Sequence, residues 1–269
     1  FTTEADNLGI KIYRSSTVVD TEGYKRINKI IIMELSKDGQ SFANSKKIVL
    51  DCDCLAMAGG WTPAVHLFTQ SGGKLKFRDK DQVFIPNKYP SDQVSIGSCN
   101  GDFELDDIIK NTSKTLKEFL NIKDTCYDDL KIKCPKDKEI RNIWLLPSDK
   151  VLGKTNPFVD YQNDATAKDI KLALREGFRS IEHVKRYTTT GMGTDQGKLG
   201  NMHALGIIAE TAGVKMGELG TTTFRPPYTP LTFGTIVGRN VGEYFDTFRR
   251  TPMNDWHIQH QAEFENVGQ

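Results

Sequence analysis

The stretch from Arg186 to Asn201, RYTTTGMGTDQGKLGN, places four glycines, four threonines and a lysine between two helix-like segments. Three kinds of role suit such a composition: a phosphate cradle, a metal site, or a turn that only links helices. For the first, Gly191, Gly193 and Gly197 would leave backbone amides accessible, Thr188, Thr189, Thr190 and Thr194 supply hydroxyls, and Lys198 supplies charge beside the helical pattern NMHALGII. Amides and cations gathered at a helix start hold anions.

Two further glycine turns carry candidate ligand contacts. Gly59, Gly60, Trp61 and Pro63 follow the apolar run KIVLDCDCLAMA, which is expected to be the most buried strand of the region. Gly97, Ser98 and Gly101, with Phe103 and Leu105 after them, follow QVSIG, read as a second strand, and precede a helix from Ile108 to Leu120. A strand that runs into glycines lets backbone approach a ligand at the edge of an open α/β sheet, and strand, turn and helix together suit an anion. The proposed contact is with a dinucleotide, by backbone approach and apolar cover. Ordinary strand-to-helix punctuation explains the same residues.

Cysteines and histidines form no coherent set. Cys52 and Cys54 alternate along the expected strand and so share a face, where free cysteine packs as a small apolar residue. Cys99 is small within GSCNG, and Cys126 and Cys134 have a spacing that suits no common metal motif. His257 and His260 stand three apart on an expected helix, while His66, His183 and His203 are isolated beside apolar runs. Packing roles are expected for all of them. No residue is offered as a general acid, base or nucleophile, and no metal site is expected.

The elements that must position these residues change character along the chain. Residues 9–58 read as successive strands, with apolar runs rich in Val, Ile and Tyr separated by Gly, Asp and Asn. Residues 121–157 are charged and loop-rich and make the expected linker. Beyond it TAKDIKLALREG, SIEHVKRYTTTG and NMHALGIIAETAG read as three short helices, each closed by glycine, and Thr166 with Asp169 suggests a capping arrangement. GTTTFRPPYTP, with its prolines, cannot be helix.

Composition limits the partners. The 36 basic and 35 acidic residues nearly cancel, so no bulk field recruits nucleic acid or an anionic membrane, and no apolar run approaches the ~18 residues of a membrane span. Five cysteines without a disulfide framework point to the cytoplasm. Residue 1 is Phe, and the chain is expected to be an internal piece of a longer protein.

Three blocks resemble one family. CLAMAGGWTPAVHLFTQSGGKL with SIGSCNG resembles the closing strands of the two-dinucleotide-domain flavoprotein oxidoreductase fold in the alpha subunits of heterotetrameric sarcosine oxidases. FVDYQNDATAKDIKLALREGFRSIEHVKRYTTTGMGTDQGKLGN through GTTTFRPPYTP is similar to their central region, and RTPMNDWHIQHQAEFENVG to the opening of their folate-binding aminomethyltransferase-like domain.

The resemblance implies an α/β fold, the C-terminal part of that flavoprotein fold, followed by a small all-α ferredoxin-like domain. Its implied divisions are a nucleotide-binding part over residues 1–120, the linker, a helical domain over 158–235, and the start of the folate domain over 236–269. Such enzymes oxidise the N-methyl group of sarcosine, giving glycine, hydrogen peroxide and methylenetetrahydrofolate or formaldehyde. NAD and the tetrahydrofolate site would belong to this subunit, FMN to its interface with the beta subunit, FAD to the beta subunit, and gamma and delta subunits would complete the complex. The chain would then contribute NAD binding and the subunit and flavin interface, amine oxidation lying on another chain.

The central region also resembles the helical domain of bacterioferritin-associated ferredoxins, in which four cysteines hold a 2Fe-2S cluster. That resemblance puts Asp160, Gln162, Asp195 and Gly200 where the cysteines would stand, so no cluster is expected. The two aspartates could serve a hard cation, but glutamine and glycine complete such a set poorly. The opening loop, from Thr188 to Lys198, together with Arg225 of TTTFRPPY, is then read as a contact for the interfacial flavin mononucleotide or the neighbouring subunit, or else as an inherited link between helices. An alpha-type subunit of another amine or opine dehydrogenase complex, and a non-catalytic docking module, remain alternatives.

Overall fold

The structure is a computed structural model, and it describes residues 2–90, 92–122, 132, 140, 142–148, 156–245 and 250–265. Cys126 and Cys134, and most of the expected linker, lie outside the described residues. The fold is mixed α/β, and the chain divides into two compact units, Phe1–Tyr228 and Thr229–Gln269.

The first unit opens with a short helix α1 (Thr2–Asn7) and an antiparallel sheet of β1 (Ser16–Gly23), β2 (Ile27–Glu34) and β3 (Ile48–Asp51), in that order. Ile30 faces Leu50 and Ile32 faces Ile48 across the second ladder. Only the central strand is buried, at Ile30, Ile32 and Met33. Among the described residues β3 is hydrogen-bonded on one side alone, and Val49 is exposed. The run KIVLDCDCLAMA is therefore an edge strand that ends at Asp51, not the most buried strand of the region. Cys54 is exposed as a consequence.

Next come α2 (His66–Gln70), a hairpin of β4 (Lys74–Arg78) and β5 (Val83–Lys88), and α3 (Leu105–Leu120). Residues 93–96, expected as a strand, pair with no neighbour among the described residues. Asp92 adopts a left-handed φ of 58° there, which turns the chain out of line with β5, and the segment passes into a 3-10 turn at Gly97–Asn100. Sheet pairing is antiparallel throughout the described residues. The rule that ligands sit at the C-terminal ends of parallel strands thus has no strands to act on here.

The helical part consists of β6 (Phe158–Asp160), β7 (Ala165–Thr166), α4 (Ala167–Arg175), α5 (Ile181–Thr188), α6 (Asn201–Ala212) and α7 (Met216–Leu219). At the start of α4 the Asp169 amide donates to the Thr166 hydroxyl, and the Asp169 carboxylate accepts from the Thr166 amide at 2.8 Å. That is the capping box expected from sequence. α6 is apolar on all sides because it is covered on all sides, with Ala204 to Ala209 buried. One face joins Val159, Ala167, Ile170, Ala173, Leu174 and Val184. The other joins Phe84 of the hairpin and Met216. At Gly206 any Cβ would collide with the Trp144 ring, so only glycine lets that ring lie against the helix. α6 ends as expected on glycine, Gly213 at φ 67°, but α5 ends on Thr189, a threonine at φ 62°.

The second unit holds α8 (Phe233–Val237), a 3-10 segment over Arg239–Phe245 and α9 (Asn254–Gln259). His257 and His260 are exposed there.

Ile170 is fully buried between α4 and α6. Truncation to Ala removes buried methylenes and leaves a void, so Ile170→Ala is expected to cost about 2–5 kcal/mol, read as a lower midpoint in denaturant unfolding.

Candidate functional site

The loop between α5 and α6 is organised by one carboxylate. Asp160, at the end of β6, is only 5% exposed, yet its oxygens accept from the amides of Gln162 at 2.9 Å, Asn163 at 3.0 Å and Gly191 at 2.6 Å. The Asn163 side chain donates to it as well, and also to the Thr189 carbonyl at 3.2 Å. Burial alone would push the Asp160 pKa up, but these donors, Gly191 foremost, hold it below the ordinary carboxylate value. Gln162 repeats the pattern one turn further, its Oε1 accepting from the Asp195 amide at 3.1 Å. Asn201 closes the loop from the helix side, and a Cβ at Gly191 or Gly197 would strike its amide.

This arrangement revises how the loop can meet a ligand. The Gly191 amide is taken by Asp160 and the Gly197 amide by the Asp195 carboxylate at 3.1 Å. Those amides are not the accessible donors expected from sequence. What the loop presents instead is side chains, Thr190 and Lys198 among them.

Those side chains face a cavity of about 100 Å³. Thr62, Pro63 and Val65 form one wall, Thr190, Lys198 and Asn201 another, and Phe224 with Tyr228 a third. Among the described residues Lys185 and Lys198 line it and no carboxylate does, so at neutral pH the wall carries positive charge over an otherwise apolar surface. Tyr228 is held on its rings: the His66 imidazole stacks on it with centroids 3.9 Å apart and planes within 1°, and the Lys198 ammonium sits 4.0 Å from the same centroid. Since one face is covered by His66, Lys198 takes the other.

Burial, aided by the Lys198 charge, pushes the His66 pKa below its usual value, and burial raises that of the Tyr228 phenol. Both are therefore neutral at pH 7. The His66 Nδ1 is buried with no hydrogen-bond partner among the described residues. This stack keeps a flexible lysine at the rim of an apolar cavity, at a contact worth about 0.5–2 kcal/mol.

The cavity thus unites Pro63, Thr190 and Lys198 of the sequence-based candidates. Thr188 is buried behind Thr190, its hydroxyl donating to that of Thr190 at 2.8 Å. Gly191 and Gly193 lie in the same loop without lining the cavity, and Arg225 is exposed beside Gln196. Gly59, Gly60 and Trp61 are exposed just ahead of Thr62, Trp61 at 88%. The second set is elsewhere: Gly97, Ser98 and Gly101 sit in or beside the 3-10 turn, the Gly101 carbonyl accepts from Arg78, and Phe103 and Leu105 are exposed at the start of α3. Sequence reasoning missed Lys185 and Tyr228 as wall residues, and His66 as the ring that backs Tyr228. No group of three or more His, Cys, Asp or Glu suited to a metal ion occurs among the described residues.

With this geometry in view, comparison with known proteins is informative. Residues 154–239 match the family described as the sarcosine oxidase A3 domain. The sarcosine oxidase subunit alpha of Corynebacterium sp. (strain P-1) is 36% identical over 99% of this chain and 28% of its own length. That of Rhizobium meliloti (strain 1021) is 35% identical over 96% of this chain and 25% of its own. The chain thus spans about a quarter of the length of these relatives. The crystal structure of L-proline dehydrogenase from P. horikoshii shares the fold, with a TM-score of 0.59 at 22% identity over 88% of this chain and 47% of that one.

Because the folded Asp160 pKa is depressed, its stabilisation is fully present above the unfolded value of about 3.9 and is lost as pH falls through the folded value. Asp160→Asn keeps the shape but loses the charge-assisted bonds, and is expected to destabilise by about 1.5–3 kcal/mol at pH 7. The gap to wild type, followed by urea unfolding, should narrow as pH is lowered below 4.

Proposed function

This chain is a homologue of sarcosine oxidase alpha subunits along nearly its whole length, and on that premise we propose that it is a segment of an alpha-type subunit in a multisubunit amine oxidoreductase. The reaction assigned to the complex is oxidation of the N-methyl group of sarcosine, giving glycine, hydrogen peroxide and a one-carbon unit as methylenetetrahydrofolate or formaldehyde. The segment's own share is to hold cofactors and partner subunits in place. No residue of the segment is proposed to take a proton from an amine.

The observation that carries this reading is the cavity with two lysines and, among the described residues, no carboxylate in its wall. A small, apolar, positively charged recess at a loop fits the anionic end of an aromatic ligand. At about 100 Å³ it is smaller than a ~150 Å³ cavity that accepts benzene, so a flavin ring does not fit inside, whereas the phosphate-bearing end of FMN does. Lys198 and the Thr190 hydroxyl would hold that end, with Arg225 near the rim. Bound there, the flavin would supply two-electron transfer between the amine-oxidising centre and dioxygen. The residues of this chain bind and orient it.

The dinucleotide contact is proposed at Gly59, Gly60, Trp61 and Pro63, and at Gly97, Ser98, Gly101, Phe103 and Leu105. Gly60 has open space around its Cβ position, which favours backbone approach. Asp106 and Asp107 occupy the first turn of α3, and their charge opposes a phosphate at that terminus. A hydroxyl-rich ribose suits the second turn better than the pyrophosphate does. FAD is assigned to the beta subunit, and tetrahydrofolate to the domain that residues 236–269 begin.

In the reconstituted complex, Lys198→Ala and Arg225→Ala are expected to weaken flavin retention, Lys198→Ala by about tenfold, as loss of a charged hydrogen bond implies. Flavin absorbance after gel filtration measures it; unchanged retention in both variants overturns the reading.

A further inference from the structure

Gln196 has no role in the reading above, and its side chain makes three hydrogen bonds to one remote segment. Its Nε2 donates to the Arg225 carbonyl at 2.8 Å and to the Pro227 carbonyl at 3.1 Å, while its Oε1 accepts from the Arg225 amide at 2.7 Å. Within residues 225–227 Arg225 has the one backbone N–H, since Pro226 and Pro227 have none. Gln196 therefore reads the whole polar inventory of that backbone except the Pro226 carbonyl. It does so from a left-handed φ of 52°, a region that a residue without special support avoids. Part of the support is Asn201, whose side chain donates to the Gln196 carbonyl at 3.0 Å.

The two ends of this clasp are chain neighbours of two members of the stack, Lys198 and Tyr228. Lys198 is two residues from Gln196 along the chain, and Tyr228 directly follows Pro227. Fixing Gln196 against 225–227 sets the distance between the lysine and the ring it covers. From the opposite side Gln70 donates to the Phe224 carbonyl at 3.1 Å, and the Phe224 ring meets Tyr228 edge-on. The segment is thus held at both ends by glutamine side chains, each bonding to backbone and leaving the rings to pack.

We propose that Gln196 is a positioning residue: its clasp on Arg225 and Pro227 aligns Tyr228 beneath Lys198 and so sets the ligand-binding geometry of the cavity. The inference rests on the cavity being the ligand site. A side chain that only tied two loops together would lower stability when removed, but would not be coupled to Lys198.

Two measurements on the assembled complex separate these roles. In Gln196→Ala, Lys198 should lose the cover of Tyr228, and its acetylation by an amine-directed reagent, followed by peptide mass spectrometry against exposed Lys168, should rise about two- to fivefold, the equivalent of a surface cation–π contact. Flavin retention should also fall, and Gln196→Ala should add nothing to the loss in a Lys198→Ala background. Gln196→Glu, which keeps the size but turns a carboxylate oxygen toward two carbonyls, should act in the same direction and serves if the alanine variant does not fold. Unchanged Lys198 reactivity with a lowered melting temperature, or flavin losses that simply add, would overturn the assignment. If Lys198→Ala leaves flavin retention intact, the cofactor reading fails while the acetylation rate still decides the role of Gln196.

Discussion

A carboxylate taken out of water needs donors in place of its hydration, and a buried one without them is neutralised or expels its element from the core. Asp160 finds its donors in two loops that are remote in sequence: the amides of Gln162 and Asn163 just after β6, and that of Gly191 beyond α5. Satisfying one charge thus fixes the distance between the strand end and the turn that follows α5. Thr189, held left-handed at φ 62° without being glycine, is part of the same arrangement, since Asn163 bonds both its carbonyl and the carboxylate. Everything downstream of that turn, including Thr190, Gln196 and Lys198, inherits its position.

From that anchor the cavity follows by packing more than by polarity. α6 is buried between the helical core and the β4–β5 hairpin, so its N-terminal residues, with the loop before them, cannot shift without opening both clusters. Lys198 is then held against an aromatic face, not left to solvent. The neutral imidazole of His66 on the far side of Tyr228 matters electrostatically: its pKa is depressed by burial and by the lysine itself, so it adds no second charge to the stack near neutral pH. The net positive potential of the wall comes from Lys185 and Lys198, and it acts across an apolar lining where charges are poorly screened.

Local signals were legible in the sequence, and relations between distant segments were not. Thr166 and Asp169 declare their capping box because both partners lie within one turn, and Gly213 declares the end of α6 for the same reason. The strand reading of KIVLDCDCLAMA failed past Asp51 because an apolar run does not reveal whether both its edges and faces are covered; among the described residues β3 pairs with β2 alone. Of the residues gathered at the cavity, Lys198 and Thr190 stood out in the sequence through their glycine-rich setting. His66 and Tyr228 did not, since nothing in either neighbourhood signals that their rings will stack. The glycines were read as open amides, whereas Gly191 and Gly197 are glycine because Asn201 fills the space a side chain would need, and both amides are already bonded.

The four positions that resemble cluster cysteines supply a last step. Asp160, Gln162, Asp195 and Gly200 come together in the fold: Gln162 bonds the Asp195 amide, and Gly200 lies so close to the Val159 carbonyl that a Cβ there would collide with it. In a ferredoxin-type domain, thiolates to iron would cross-link these same two loops. Here the cross-links are hydrogen bonds accepted by Asp160 and Gln162, and Gly200 lets the backbones approach closely. Hydrogen bonds to a buried carboxylate are individually weaker than metal ligation, but they are several, directional and local. They hold the loops in register, and with them the backbone from which Gln196 and Lys198 reach residues 225–228.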